Sequence, residues 1–151
     1  MRIGPLLRLA LRVFALTGLK SFALGVASTF IPEGQAFSLS YALHMGNLTA
    51  LFGTLIFGTI YVVIAIVVAI IFGSRPNARK FKLILALAMV AVTLPIIINV
   101  IENAIRYPAS YELITVLWWI VHGAVVVGIS QIVARKYIQE VLSVGRKAKA
   151  R

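Results

Sequence analysis

The polar residues that could do chemistry are few, and four of them share a register. Glu102, Asn103 and Arg106 follow Asn99 by three, four and seven positions, offsets that put side chains on one face of an α-helix. A carboxylate between two carboxamides is a donor set for a cation or a proton. A Glu102–Arg106 ion pair, or a contact between subunits, is the plainer use of the same atoms. Pro95 lies four residues before Asn99. There it removes a backbone N–H and frees the carbonyl of Ala91, so a bend opening a pocket toward one membrane surface is expected.

His122 is the second candidate. It stands nine residues after Leu113 in an apolar run, about 13 Å along a helix axis. An imidazole at that depth needs a partner, and Tyr61 and Thr93 are the mid-run groups that could serve. The same ring is a ligand for haem or a metal and a contact for quinone. His44 invites pairing with it as a second axial haem ligand. His44 precedes the most apolar part of its own run, one to three turns shallower than His122; a helix beginning as early as Ser38 would correct the offset.

Two histidines and no cysteine leave no typical three-ligand zinc site, no disulfide and no thiolate nucleophile. There is no phosphate loop, dinucleotide fingerprint, HExxH helix or serine elbow. The cofactor, if any, is therefore unknown from sequence, and no enzymatic role is expected.

The elements that must carry these residues are apolar. The 41 residues between Glu33 and Arg75 hold no formal charge apart from what His44 acquires, and a helix crosses hydrocarbon with about 20 apolar residues. Of the 151 residues, 61% are hydrophobic and 13% charged. Soluble domains carry about 25% charged residues, so a soluble enzyme is excluded. Four spans are drawn at residues 13–31, 47–72, 83–105 and 113–134. Their β-branched runs do not imply strands, because open strand edges do not survive in lipid. The expected fold is an all-α integral membrane bundle of four transmembrane helices in one domain, 1–151, with a short basic C-terminal tail.

Charge sets the orientation. Arg75, Arg79, Lys80 and Lys82 lie between spans two and three, and Arg135, Lys136, Arg146, Lys147, Lys149 and Arg151 follow span four. Glu33, Glu102 and Glu112 fall on the other side with Arg106 alone, so 14 of the 15 basic residues collect on one face. The positive-inside tendency puts that face, and both termini, in the cytoplasm or its equivalent. Trp118, Trp119, Tyr107 and Tyr111 near the opposite face, and Tyr137 near the basic one, suit headgroup depth. Arg2, Arg8 and Arg12 before a leucine-rich run resemble a targeting segment, but no small-x-small site stands out after it, and it is expected to be retained. Lys20 sits awkwardly inside span one: either its stem snorkels toward the basic face or the segment lies in the interface.

The net charge of +11 does not point to nucleic acid, since the cations flank apolar runs. Anionic lipids at the basic inner face are their expected counter-charge. Small residues recur at Ala50, Thr54 and Gly58 and at Ala124 and Gly128, faces that let helices approach closely. The leading expectation is a non-catalytic accessory subunit of a larger integral membrane complex, with self-association as the other partnership. A small oligomeric transporter or channel subunit using Glu102, and an electron-transfer subunit using His122, are the alternatives. A bacterial inner membrane is the first expected location and an organelle inner membrane the second.

Overall fold

The computed structural model describes residues 3–30, 38–72, 77–106 and 110–149. Glu33, Arg75, Tyr107 and Arg151, and the side chains of Tyr111, Glu112, Arg146, Lys147 and Lys149, lie outside the described set. The helices are α1 (Ile3–Ser28), α2 (Leu39–Gly53), a π turn (Thr54–Gly58), α3 (Thr59–Phe72), α4 (Ala78–Arg106) and α5 (Ser110–Lys149). No strand occurs among the described residues. The second span is one rod, Leu39–Phe72, with the π turn inside it.

Among the described residues, four helices are long and apolar enough to cross a membrane: Ile3–Ser28, Leu39–Phe72, Ala78–Asn103 and Thr115–Ser143. The chain thus has the all-helical, multi-pass architecture expected of it. α2 and α4 begin earlier than the apolar runs because a side-chain cap, not hydropathy, sets their starts. The Ser38 side chain accepts from the Tyr41 N–H at 3.4 Å, and Asn77 Oδ1 accepts from the Lys80 N–H at 3.1 Å, each satisfying a first-turn donor. The last helix also runs on to Lys149, into the basic C-terminal tail. Its 40 residues measure about 60 Å, twice a hydrocarbon thickness of about 30 Å. Good helix formers such as Arg, Lys and Ala support the overhang.

The chain falls into two compact units, Met1–Ile70 and Ile71–Arg151. In the first, α1 runs antiparallel to the rod. Gly25 faces Met45 and Thr49, Gly46 faces Phe22 and Val26, Gly53 faces Ser21, and Gly18 faces Thr54. A Cβ on Gly25 would stand 2.8 Å from the Met45 carbonyl oxygen, and one on Gly46 would stand 2.7 Å from Val26 Cγ2. Small residues here let two backbones come together, which replaces the hydrophobic drive that lipid cannot supply. Pro5, Leu9, Val13 and Thr17 are buried along α1 at intervals of four, one stripe of the helix surface.

In the second unit, α4 and α5 form a hairpin. Phe81, Leu85, Met89 and Thr93 are buried along α4, again every fourth residue, and His122, Val126, Ile129, Ser130, Val133 and Tyr137 along α5. The Phe81 ring stacks on Tyr137 at 5.3 Å and meets Phe72 edge-on at 5.5 Å. The Gln131 amide donates to the Lys82 carbonyl at 3.5 Å. Buried hydroxyls turn back on their own helix: Thr93 donates to Val90 O and Ser130 to Val127 O, at 2.8 and 2.7 Å. This is how hydroxyls are satisfied where no water is at hand.

Candidate functional site

The four-residue polar face forms as its spacing requires. Asn99, Glu102, Asn103 and Arg106 all lie on α4 and all are exposed. The Asn103 amide donates to Asn99 Oδ1 at 3.1 Å. The helix continues unbroken through Pro95. Asn99 lies seven residues from the end of α4 at Arg106, roughly 10 Å along the axis, so the face runs from the helix end into the span.

The histidines have different surroundings. His122 is buried in the second unit, with its ring 5.1 Å from that of Trp119 and tilted by 44°. Thr93, one expected partner, donates its hydroxyl to Val90 O. Tyr61, the other, belongs to the first unit. His44 is also in the first unit, exposed, on a helix that begins at Leu39, as the haem-pairing idea required. Among the described residues, no group of three or more His, Cys, Asp and Glu is placed to hold a metal ion.

A second polar constellation lies around Lys20. This residue sits in the apolar α1 and is only 6% exposed. Its ammonium lies 5.6 Å from the centroid of Phe57 and 5.6 Å from that of Tyr61. The two rings are 6.1 Å apart. Helical side chains lean toward the N-terminus. In the antiparallel pairing that direction carries Lys20 Nζ past the residues level with its Cα to Phe57 in the π turn and Tyr61 just beyond it. Thr17 lies one turn back on the same side of α1. Thr17 Oγ1 and the Tyr61 hydroxyl are both enclosed and have no hydrogen-bond partner among the described residues. Thr17 is 0% exposed and Tyr61 1%.

The energetics are unusual for a membrane interior. A lysine at the centre of a spanning helix costs about 2.5–3.5 kcal/mol on insertion scales. A desolvated cation–π contact returns about 2 kcal/mol, so the two rings offset much of that cost. Each unsatisfied buried hydroxyl costs about 1–3 kcal/mol. The π turn beside these residues is a helix form found mostly as single turns inside α-helices, frequently at functional sites.

From sequence, Lys20 stood out only as an obstacle to crossing, and its aromatic cage was not anticipated. Two signals were present. Thr17, Lys20 and Ser21 form a polar i, i+3, i+4 set in a helix whose other charges, Arg8 and Arg12, lie nearer its start, and Phe57 and Tyr61 are an i, i+4 aromatic pair in the next one. Neither signal says that the two faces meet. Comparison with protein-family models, curated proteins and solved structures finds no match for the chain.

Proposed function

We propose that this chain is a non-catalytic accessory subunit of a larger integral membrane complex, and that α4 docks it through the face Asn99–Asn103–Glu102–Arg106. The observation that supports this is the exposure of two hydrogen-bonded carboxamides inside the span Ala78–Asn103. Lipid tails offer such groups nothing, whereas a neighbouring helix offers hydrogen bonds. The basic cluster at Arg135 and Lys136, both exposed on α5, would rest against anionic headgroups of the inner leaflet of a bacterial or organelle membrane. Transport through Glu102 has less support, because the four residues stand on an exposed surface instead of converging.

The test is extraction of the chain from its native membrane into polymer nanodiscs, followed by native mass measurement. The expected result is a defined assembly with a larger membrane protein at fixed stoichiometry. That assembly should be lost in the Asn99→Leu/Asn103→Leu double variant while helicity is kept. A lone chain, or an assembly unaffected by the double variant, would refute the docking face.

A further inference from the structure

We propose that the π turn at Thr54–Gly58 is a rotary joint in the second span, and that Lys20 is the latch that holds its present setting. The rod changes phase at this turn. On an unbroken α-helix the face of Gly53 returns after seven, eleven and fourteen positions, at Ile60, Ile64 and Val67. The residues actually buried are Tyr61, Ala65 and Val68, each one position later. Ile60 and Val67 are instead 38% and 48% exposed. A π turn closes on i+5 in place of i+4, so it takes up one residue more than an α turn. That residue accounts for the offset. It lets Gly46 and Gly53 before the turn meet the same helix, α1, as Gly58 and Tyr61 at its far end and beyond.

Local preference does not hold the turn open, because α spacing is the ordinary state and π spacing the rare one. Contacts from α1 hold it. Gly53 lies against Ser21, Thr54 against Gly18 and Gly58 against Phe14. The Lys20 ammonium stands 5.6 Å from Phe57, inside the turn, and 5.6 Å from Tyr61, beyond it. One cation thus ties both parts of the rod to α1. Backbone donors at the two ends already use acceptors nearer than π spacing. The Thr54 N–H is shared between the carbonyls of Ala50 and Leu51, and the Thr59 N–H donates to the carbonyl of Ile56. Tightening the turn exchanges i−5 for i−4 acceptors and strands no N–H, which lipid would penalise.

That tightening turns residues 59–70 by about one residue, roughly 100°. Ile60, Ile64 and Val67 then come onto the face now held by Tyr61, Ala65 and Val68. Tyr61 leaves Lys20, and an isoleucine on the face of Ala65 keeps α1 from sitting as close. At a side-chain radius of about 5–6 Å, a turn of this size moves a side-chain tip by about 8 Å. This device is independent of the docking face on α4.

Two spin labels on the full chain in nanodiscs read the joint. The labels sit on cysteines introduced at Leu7 and Val67, both exposed, in a chain with no cysteine of its own. With no other change, one distance is expected. Lys20→Met should add a second population, displaced by about 8 Å. Tyr61→Leu, which removes the ring from the latch, should do the same even if Lys20→Met fails to fold. Deletion of Ile56, an exposed residue of the turn, should keep the original distance, because an α turn then supplies the phase the π turn supplies now. Combined with that deletion, Lys20→Met and Tyr61→Leu should add no second population, since no extra residue is left to release. A single distance in both latch variants would overturn the latch. A second population that survives the deletion would mean general loosening and would overturn the joint. A deletion variant that misfolds, or that shifts the distance, would overturn the phase assignment.

Discussion

Gly25→Ala is the most direct probe of how the first unit holds together. A methyl carbon there would meet Thr49 Cβ at 2.6 Å and the Met45 carbonyl oxygen at 2.8 Å. Carbon atoms normally touch at about 3.5–4.0 Å, and a C–H group approaches a carbonyl oxygen to about 3.3–3.6 Å. The overlap is therefore roughly 0.5–1.4 Å. One of the two obstacles is backbone, so no rotamer change relieves it and α1 must move off α2. Overpacking of this kind costs about 1–3 kcal/mol, while alanine in place of helical glycine returns about 0.5–1 kcal/mol. The net expectation is destabilisation by about 1–2 kcal/mol, a 5- to 30-fold shift toward the opened state.

Gly128 supplies the control. Nothing lies within 4 Å of a Cβ built there, so Gly128→Ala keeps only the helix gain of about 0.5–1 kcal/mol. Hydrogen–deuterium exchange in nanodiscs resolves the two units peptide by peptide. Gly25→Ala should speed exchange in α1 and α2 roughly 5- to 30-fold and leave α4 and α5 alone. Gly128→Ala should speed exchange nowhere. Equal exchange in Gly25→Ala and wild type would refute the claim that backbone contact at Gly25 joins these helices.

Two further outcomes are expected. Phe81→Ala removes a ring that is 0% exposed and packed between Phe72 and Tyr137; it should destabilise the α4–α5 hairpin by about 3–5 kcal/mol, seen as loss of protection in α4 and α5 during exchange. The chain contains no cysteine, so single cysteines introduced at Arg79, Arg135 and Glu33 can be labelled without background. Arg79 and Arg135 should react from one side of the membrane and Glu33 from the other, and a common side for Glu33 and Arg79 would reverse the charge-based topology.

Some of this protein was legible without coordinates. Long uncharged runs admit one backbone solution in hydrocarbon, because every peptide group must be satisfied within its own segment. Helical spans follow from that, and so does the shared face of Asn99, Glu102, Asn103 and Arg106, since periodicity is a property of one helix. The full extent of α5 was less legible, because a helix does not end where hydrophobicity ends.

What lay beyond the sequence was every meeting of side chains from different segments. Lys20 read alone is a charge in the wrong place. Its cage exists because α1 runs antiparallel to the rod, because Gly18, Gly25, Gly46 and Gly53 allow the two to approach closely, and because a lysine leans toward its helix N-terminus and so reaches Phe57 and Tyr61. The shared depth of these residues depends on register between helices, which contact between backbones sets and which no local spacing encodes. Hydropathy decides that a segment enters the membrane; packing decides which polar atoms find themselves enclosed there together.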